Sequence, residues 1–144
     1  MKVIICGAGR VGFGIASRLA SENNDVTVVD TSSSLIRKIT TDLDVKGLVG
    51  HGHDPLILRQ AGVENTDMII AVTHTDEVNM VACQVAHSLF SVPTKVARVR
   101  AQNYLLDEYS ELYSSDNMPI DIIISPEIEI ARSILRRLKT PGAF

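Results

Sequence analysis

Short apolar runs rich in β-branched residues alternate with segments of helix length along almost the whole chain, and this alternation most constrains what it can fold into. Runs at 3–6, 26–29, 45–49, 68–72, 96–99 and 120–124 read as strands. Several are nearly continuous in Val and Ile. A strand solvated on one face alternates polar with apolar, so these are expected to be buried on both faces of a parallel sheet. Between the first two runs, Val11, Ile15 and Leu19 recur every four residues, with Gly12, Ala16 and Ala20 beside them. That spacing lays one apolar stripe along a helix, and the small residues let it approach a sheet closely. Further helices are expected over 33–42, 55–61, 76–90 and 127–138. Pro55 suits a first helical turn and Gly62 the position just past a helix end. Strand, helix, strand in this order predicts a Rossmann-like, doubly wound α/β fold. The sheet is expected to be mainly parallel and six-stranded, with helices on both faces.

The 144 residues suffice for one domain with one core, and residues 1–144 are read as a single domain. No apolar stretch approaches the roughly 20 residues that span a bilayer. The N-terminus reads as a first strand, not a signal peptide, which sets the expectation of a cytoplasmic protein. A formal net charge of −3 argues against broad nucleic-acid binding. Cys6 and Cys83 have neither metal-site nor disulfide-framework spacing and read as small buried thiols. Near the end, "RSILRRLKTPGAF" is a basic helix end followed by a Pro-Gly stop, a natural connection to a further module.

"IICGAGRVGFG" carries the chemistry. Gly7, Gly9 and Gly12 follow the first strand and open the first helix. Gly7 permits the tight turn, Gly9 lets backbone approach a pyrophosphate, and Gly12 lets the helix lie close to the sheet. The helix N-terminus then presents unpaired N–H groups and a positive dipole end to an anion. Asp30 closes the second strand about 20 residues on, where the dinucleotide fingerprint has its acid. It would accept from a ribose 2′-hydroxyl and repel a 2′-phosphate, which favours NAD or ATP over NADP. Other candidates sit where strands end at their carboxyl edge: Thr31, Thr73, His74, Arg98, Arg100 and Glu127. Arg98 and Arg100 lie two apart, so on a strand they share a face. With Arg10 in the glycine loop they form a candidate phosphate rim. "GHGHD" at 50–54 offers His51, His53 and Asp54 as potential metal ligands, but a helix-start loop with Asp54 as N-cap is the simpler reading. No Ser-His-Asp arrangement, paired carboxylates or Walker-type loop is visible, and no segment remains to hold a second substrate beside a nicotinamide. Nucleotide sensing is therefore favoured over catalysis. Two readings stay open beside it: the cofactor domain of an oxidoreductase lacking its substrate domain, and an assembly module whose glycine turn is empty.

"MKVIICGAGRVG", "VTVVD", "LRQAGVENTDMIIAVTHTDEVNMVAC", "VARVRAQNY" and "IDIIISPEIEIARSI" together resemble the N-terminal RCK (KTN) domains of Trk potassium-uptake proteins, in the right order over nearly the full length. The resemblance implies a non-enzymatic, cytoplasmic regulatory subunit that binds NAD(H) or ATP/ADP and self-associates into dimers or a ring. It implies control of a membrane potassium-translocating subunit at the inner face of the membrane. It also implies that Gly7, Ala8, Gly9, Arg10 and Val11 hold phosphates, Asp30 the ribose, and His51 and Gly52 the adenine. Thr73, His74 and Arg98 match further nucleotide-contacting positions, and Arg10, Arg100 and Glu127 fall where relatives make phosphate or inter-subunit contacts. One departure is visible: His51 follows Gly50 where many relatives carry Asp or Asn.

Overall fold

A computed structural model of the chain describes residues 1–125. The expected helix over 127–138 and Glu127 lie outside them. The described elements run β1 (Lys2–Cys6), α1 (Arg10–Ser21), β2 (Asp25–Asp30), α2 (Ser33–Asp42), β3 (Lys46–Val49), α3 (Pro55–Gln60), β4 (Met68–Ala71), α4 (Asp76–Phe90), β5 (Thr94–Arg98) and β6 (Ile122–Ile124). The strands form one six-stranded sheet in the order β3-β2-β1-β4-β5-β6. Every pairing is parallel, so the sheet is wholly and not merely mainly so.

The strand period of two sends alternate side chains to opposite faces. Val3 and Ile5 pack with Ile15, Leu19 and Ile39, which places α1 and α2 on one face. Ile4 and Cys6 pack with Leu58, Met80 and Cys83, which places α3 and α4 on the other. Ile4, Ile5, Ile69 and Ile70 are wholly buried, each side chain contributing roughly 1.5–3 kcal/mol relative to an exposed one. The edge strand β3 is mostly exposed and accommodates Gly47, whereas β4 is wholly buried and β1 is buried beyond Lys2. Local signals act as expected in α3. Pro55 occupies its first turn, Asp54 Oδ1 accepts the Leu56 N–H at 2.9 Å, and Gly62 takes a left-handed φ of 89° after its end.

Between β5 and β6 the chain crosses without an α-helix, through 3-10 turns over Gln102–Leu105 and Asp107–Tyr113. The Tyr113 hydroxyl donates to the Tyr104 carbonyl at 2.7 Å and ties the two turns together. At the amino edge, loops are stitched tightly: the Lys2 N–H donates to Asp67 Oδ2, the Asp67 N–H returns to the Lys2 carbonyl, and the Lys95 N–H donates to Asp121 Oδ2.

Candidate functional site

Strand order reverses between β1 and β4, where successive connections leave to opposite sides of the sheet and a crevice opens at the carboxyl edge. The structure has a cleft of about 620 Å³ there. Gly7, Gly9, Arg10 and Val11 come to it from the β1–α1 turn, and Asp30 and Thr31 from the end of β2. His51 and Gly52 arrive from the β3–α3 loop, Thr73 and His74 from the end of β4, and Arg98 from β5. Five segments separated in sequence thus converge on one cavity.

The three glycines of the turn differ in what holds them. Gly7 has φ 118°, and a Cβ there would stand 2.9 Å from the Val72 carbonyl oxygen. A Cβ on Gly12 would fall 1.8 Å from the Gly7 carbonyl oxygen, so α1 can start this close only without a side chain at that position. Gly12 accordingly shapes the turn without lining the cleft. Gly9 is unlike either. Its φ of −73° suits any residue, and among the described residues beyond its chain neighbours a Cβ there would come within 4 Å of His74 Nε2 alone, at 3.9 Å. The protein itself asks for no glycine at Gly9; its bare face opens on the cleft.

The turn's amides are likewise divided. The Gly7 N–H donates to the Val29 carbonyl and the Ala8 N–H to Asp30 Oδ2, both at 2.8 Å. Ala8 is buried and does not line the cleft, so its amide is spoken for. Gly9 caps α1 without a side-chain acceptor, which leaves the Arg10 and Val11 amides of the first turn without an intrahelical partner. Asp30 joins two loops, because its Oδ1 accepts the Ser32 N–H at 2.8 Å. Each carboxylate oxygen keeps a lone pair for a further donor.

Across the cleft, the end of β4 is held by a residue that sequence reading did not single out. Asn79, wholly buried, accepts the Thr73 N–H (2.9 Å) and the Thr73 hydroxyl (2.7 Å) at Oδ1. Its Nδ2 donates to the Thr73 and Arg98 carbonyls. The signal was present: Asn79, Cys83 and Ala86 share one helical face, and a polar side chain on an apolar stripe must find buried partners. Arg98 is 4% exposed at the cleft's inner wall, its Nη1 donating to the Val72 carbonyl at 3.3 Å. Arg100 is not brought to the cleft. β5 stops at Arg98, and Asp76 takes the Arg100 and Ala101 amides at 2.9 and 2.8 Å, turning the chain away at the strand end. The shared strand face expected for the two arginines therefore does not form.

Gly52 has a packing reason to be glycine, since a Cβ would press on Cys6 at 2.6 Å. The His51 and His53 rings lie 5.3 Å apart at 53°. His53 also lines the cleft; its Nδ1 is buried with no hydrogen-bond partner among the described residues. Asp54 is engaged as the α3 cap, and no group of three or more His, Cys, Asp or Glu among the described residues is arranged to hold a metal. Both cysteines are buried; burial first, and then the Asp30 charge, pushes the Cys6 thiol up to about 12.

Compared with known families, residues 3–126 match the TrkA-N domain. The chain belongs to the TrkA-N family. This TrkA-N domain is 64% identical over 143 residues to the Trk system potassium uptake protein TrkA of Azorhizobium caulinodans, and 53% identical over 144 residues to that of Halomonas elongata. The matches cover 99% and 100% of this chain but 31% of each relative, so the chain spans about a third of their length. Among solved structures, the TrkA-N domain of the Escherichia coli inner membrane protein YbaL superposes with TM-score 0.74 at 18% identity, covering 94% of both chains. The GsuK channel bound to NAD gives 0.67 at 20%, over 85% of this chain and 21% of that one. The Kef C-terminal domain of Shewanella denitrificans in AMP-bound form gives 0.67 at 19%, over 99% and 82%. At these identities the structures speak to the fold of the TrkA-N domain alone. No helix among the described residues is long and apolar enough to cross a membrane.

Proposed function

We propose that the cleft binds the adenosine and phosphate groups of NAD(H) or of ATP/ADP, and that the domain regulates and does not catalyse. The observation that carries this reading is the uncapped first turn of α1 beneath Gly9, whose missing side chain serves no packing need of the protein. A phosphate there would accept from the Gly9, Arg10 and Val11 amides at the positive end of the helix dipole. Asp30, fixed by two backbone donors, keeps acceptor capacity for ribose hydroxyls. His51 and Gly52 flank the place for adenine, and Thr31, Thr73, His74 and Arg98 bound the rest of the ligand. That the likened GsuK and Kef structures hold NAD and AMP supports the shared adenosine phosphate as the recognised core.

In this reading the chain is the first nucleotide-sensing module of a longer, self-associating subunit. It sits at the cytoplasmic face of the membrane and governs a potassium-translocating partner, as the naming of its 64% identical relative suggests. A nucleotide shifts such an assembly only by binding its two states unequally, and NAD and ATP differ in size and charge enough to do so. Arg100, outside the cleft, and Glu127 are left to contacts between subunits.

Calorimetric titration of NAD, NADH, ATP and ADP against the wild type and Asp30→Asn, with sedimentation to follow assembly, tests the reading. Saturable binding that weakens about tenfold or more in the variant is expected, since a hydrogen bond to a charged group is worth roughly 1.5–3 kcal/mol. Absence of saturable binding by all four nucleotides overturns it.

A further inference from the structure

Three of the chain's four histidines, His51, His53 and His74, rim one cleft, and they do not stand equivalently in it. His51 and His53 lie together on the β3–α3 loop, beyond Asp30. His74 stands alone at the end of β4, its Nε2 directed over the bare face of Gly9, where a phosphate would meet the start of α1. We propose that His74 is a proton-dependent phosphate ligand that makes nucleotide affinity rise as pH falls; the proposal rests on the nucleotide reading of the cleft given above.

The electrostatics follow from the residues sharing the cavity. Among the described residues, the other charged or titratable groups lining it are Arg10 from α1, Asp30 from β2, His51 and His53 from the β3–α3 loop, and Arg98 from β5. Asp76 and Glu77, which follow on α4, are turned elsewhere: Asp76 to the Arg100 and Ala101 amides, and Glu77 to the Tyr104 hydroxyl at 3.3 Å. His74 therefore has two cations, Arg10 and Arg98, in its cavity, and one carboxylate whose oxygens already accept from the Ala8 and Ser32 amides. A bound diphosphate would place two negative charges against Gly9, and a charged imidazole is the better donor to them. By linkage, whatever favours the proton in the bound state favours binding at low pH. His74 is exposed. The same charge logic makes the response larger for a ligand with more negative phosphates, so the proton also biases the choice between nucleotides.

NAD is the cleaner probe, because its diphosphate does not titrate between pH 6 and 8. Titration calorimetry of NAD into the chain at pH 6, 7 and 8, in buffers of different ionisation heat, reads both affinity and proton uptake. Wild type is expected to bind about five- to tenfold more tightly at pH 6 than at pH 8, taking up part of a proton near pH 7. His74→Gln should bind with little pH dependence and no uptake. His74→Lys, permanently charged, should bind tightly at all three values, again without uptake. His51→Asn and His53→Asn should keep the wild-type slope. Binding that persists with no pH dependence in the wild type, or a slope that survives His74→Gln, overturns the role of His74 while leaving the cleft reading intact. Absence of NAD binding at every pH, with ATP also failing to bind, overturns both.

Discussion

The two edges of the sheet are built from the same kinds of residue and finished in opposite ways. At the amino edge the loops are closed on one another. Asp67 and Lys2 exchange hydrogen bonds, Asp67 also accepts the Thr94 amide, and the buried Lys95 ammonium donates to the Val92 and Pro93 carbonyls 3.4 Å from the Asp121 carboxylate. At the carboxyl edge, Asp30 and Asn79 draw four loops into fixed positions yet leave a cavity and the unpaired start of α1 between them. The difference teaches where to look for function in such a sheet. Polar groups that a fold needs are satisfied within it, and a backbone donor left open beside a rigid frame is available to a ligand.

The sharpest way to break the comparison is Gly12→Ala. Its Cβ cannot coexist with the Gly7 carbonyl, so α1 must shift, and chemical denaturation should show a loss of about 3 kcal/mol or more. Asn79→Ala should follow, at about 2–3 kcal/mol, since the Thr73 and Arg98 backbone groups it serves would be left buried and unpaired. It should also weaken nucleotide binding, because the wall it holds lines the cleft. Lys95→Met probes the other edge. A cost of about 1–2 kcal/mol with unchanged nucleotide affinity is expected, and a changed affinity would show that the edges are coupled. Gly9→Ala sharpens the contrast in the opposite sense: about 1 kcal/mol or less in stability, with NAD affinity reduced about tenfold or more. A pH-dependent effect concerns the two buried thiols. Their neutral form belongs to the folded state, while an unfolded Cys6 ionises near 9.0, so stability present below that pH should decline as pH rises from there towards about 12. Native protein at pH 8 should correspondingly resist a thiol-reactive disulfide reagent until denatured.

Much of this frame was legible in the residues. The strand runs, the apolar stripe of α1, the Pro55 and Gly62 boundaries of α3 and the Asp54 cap stand where their chemistry puts them. The glycine turn and Asp30 were legible as a pair because the spacing between them is the length of one βα unit with its next strand. Less could be read from 101–117, whose 3-10 turns carry no apolar period, and the turn of Arg100 away from the cleft depends on Asp76, 24 residues earlier.

By itself, then, the sequence determined the order of strands and helices, the faces they bury and the place of the first βα turn, all of which follow from side-chain periodicity and local backbone preference. Only the tertiary structure decided which groups at that turn remain open. Asp30 reaches back 22 residues to take the Ala8 amide, and the Gly7 carbonyl excludes any side chain at Gly12 while nothing does so at Gly9. The Asp30 contact depends on two segments meeting across the sheet, and hydrogen-bond partners at that range have no local signature.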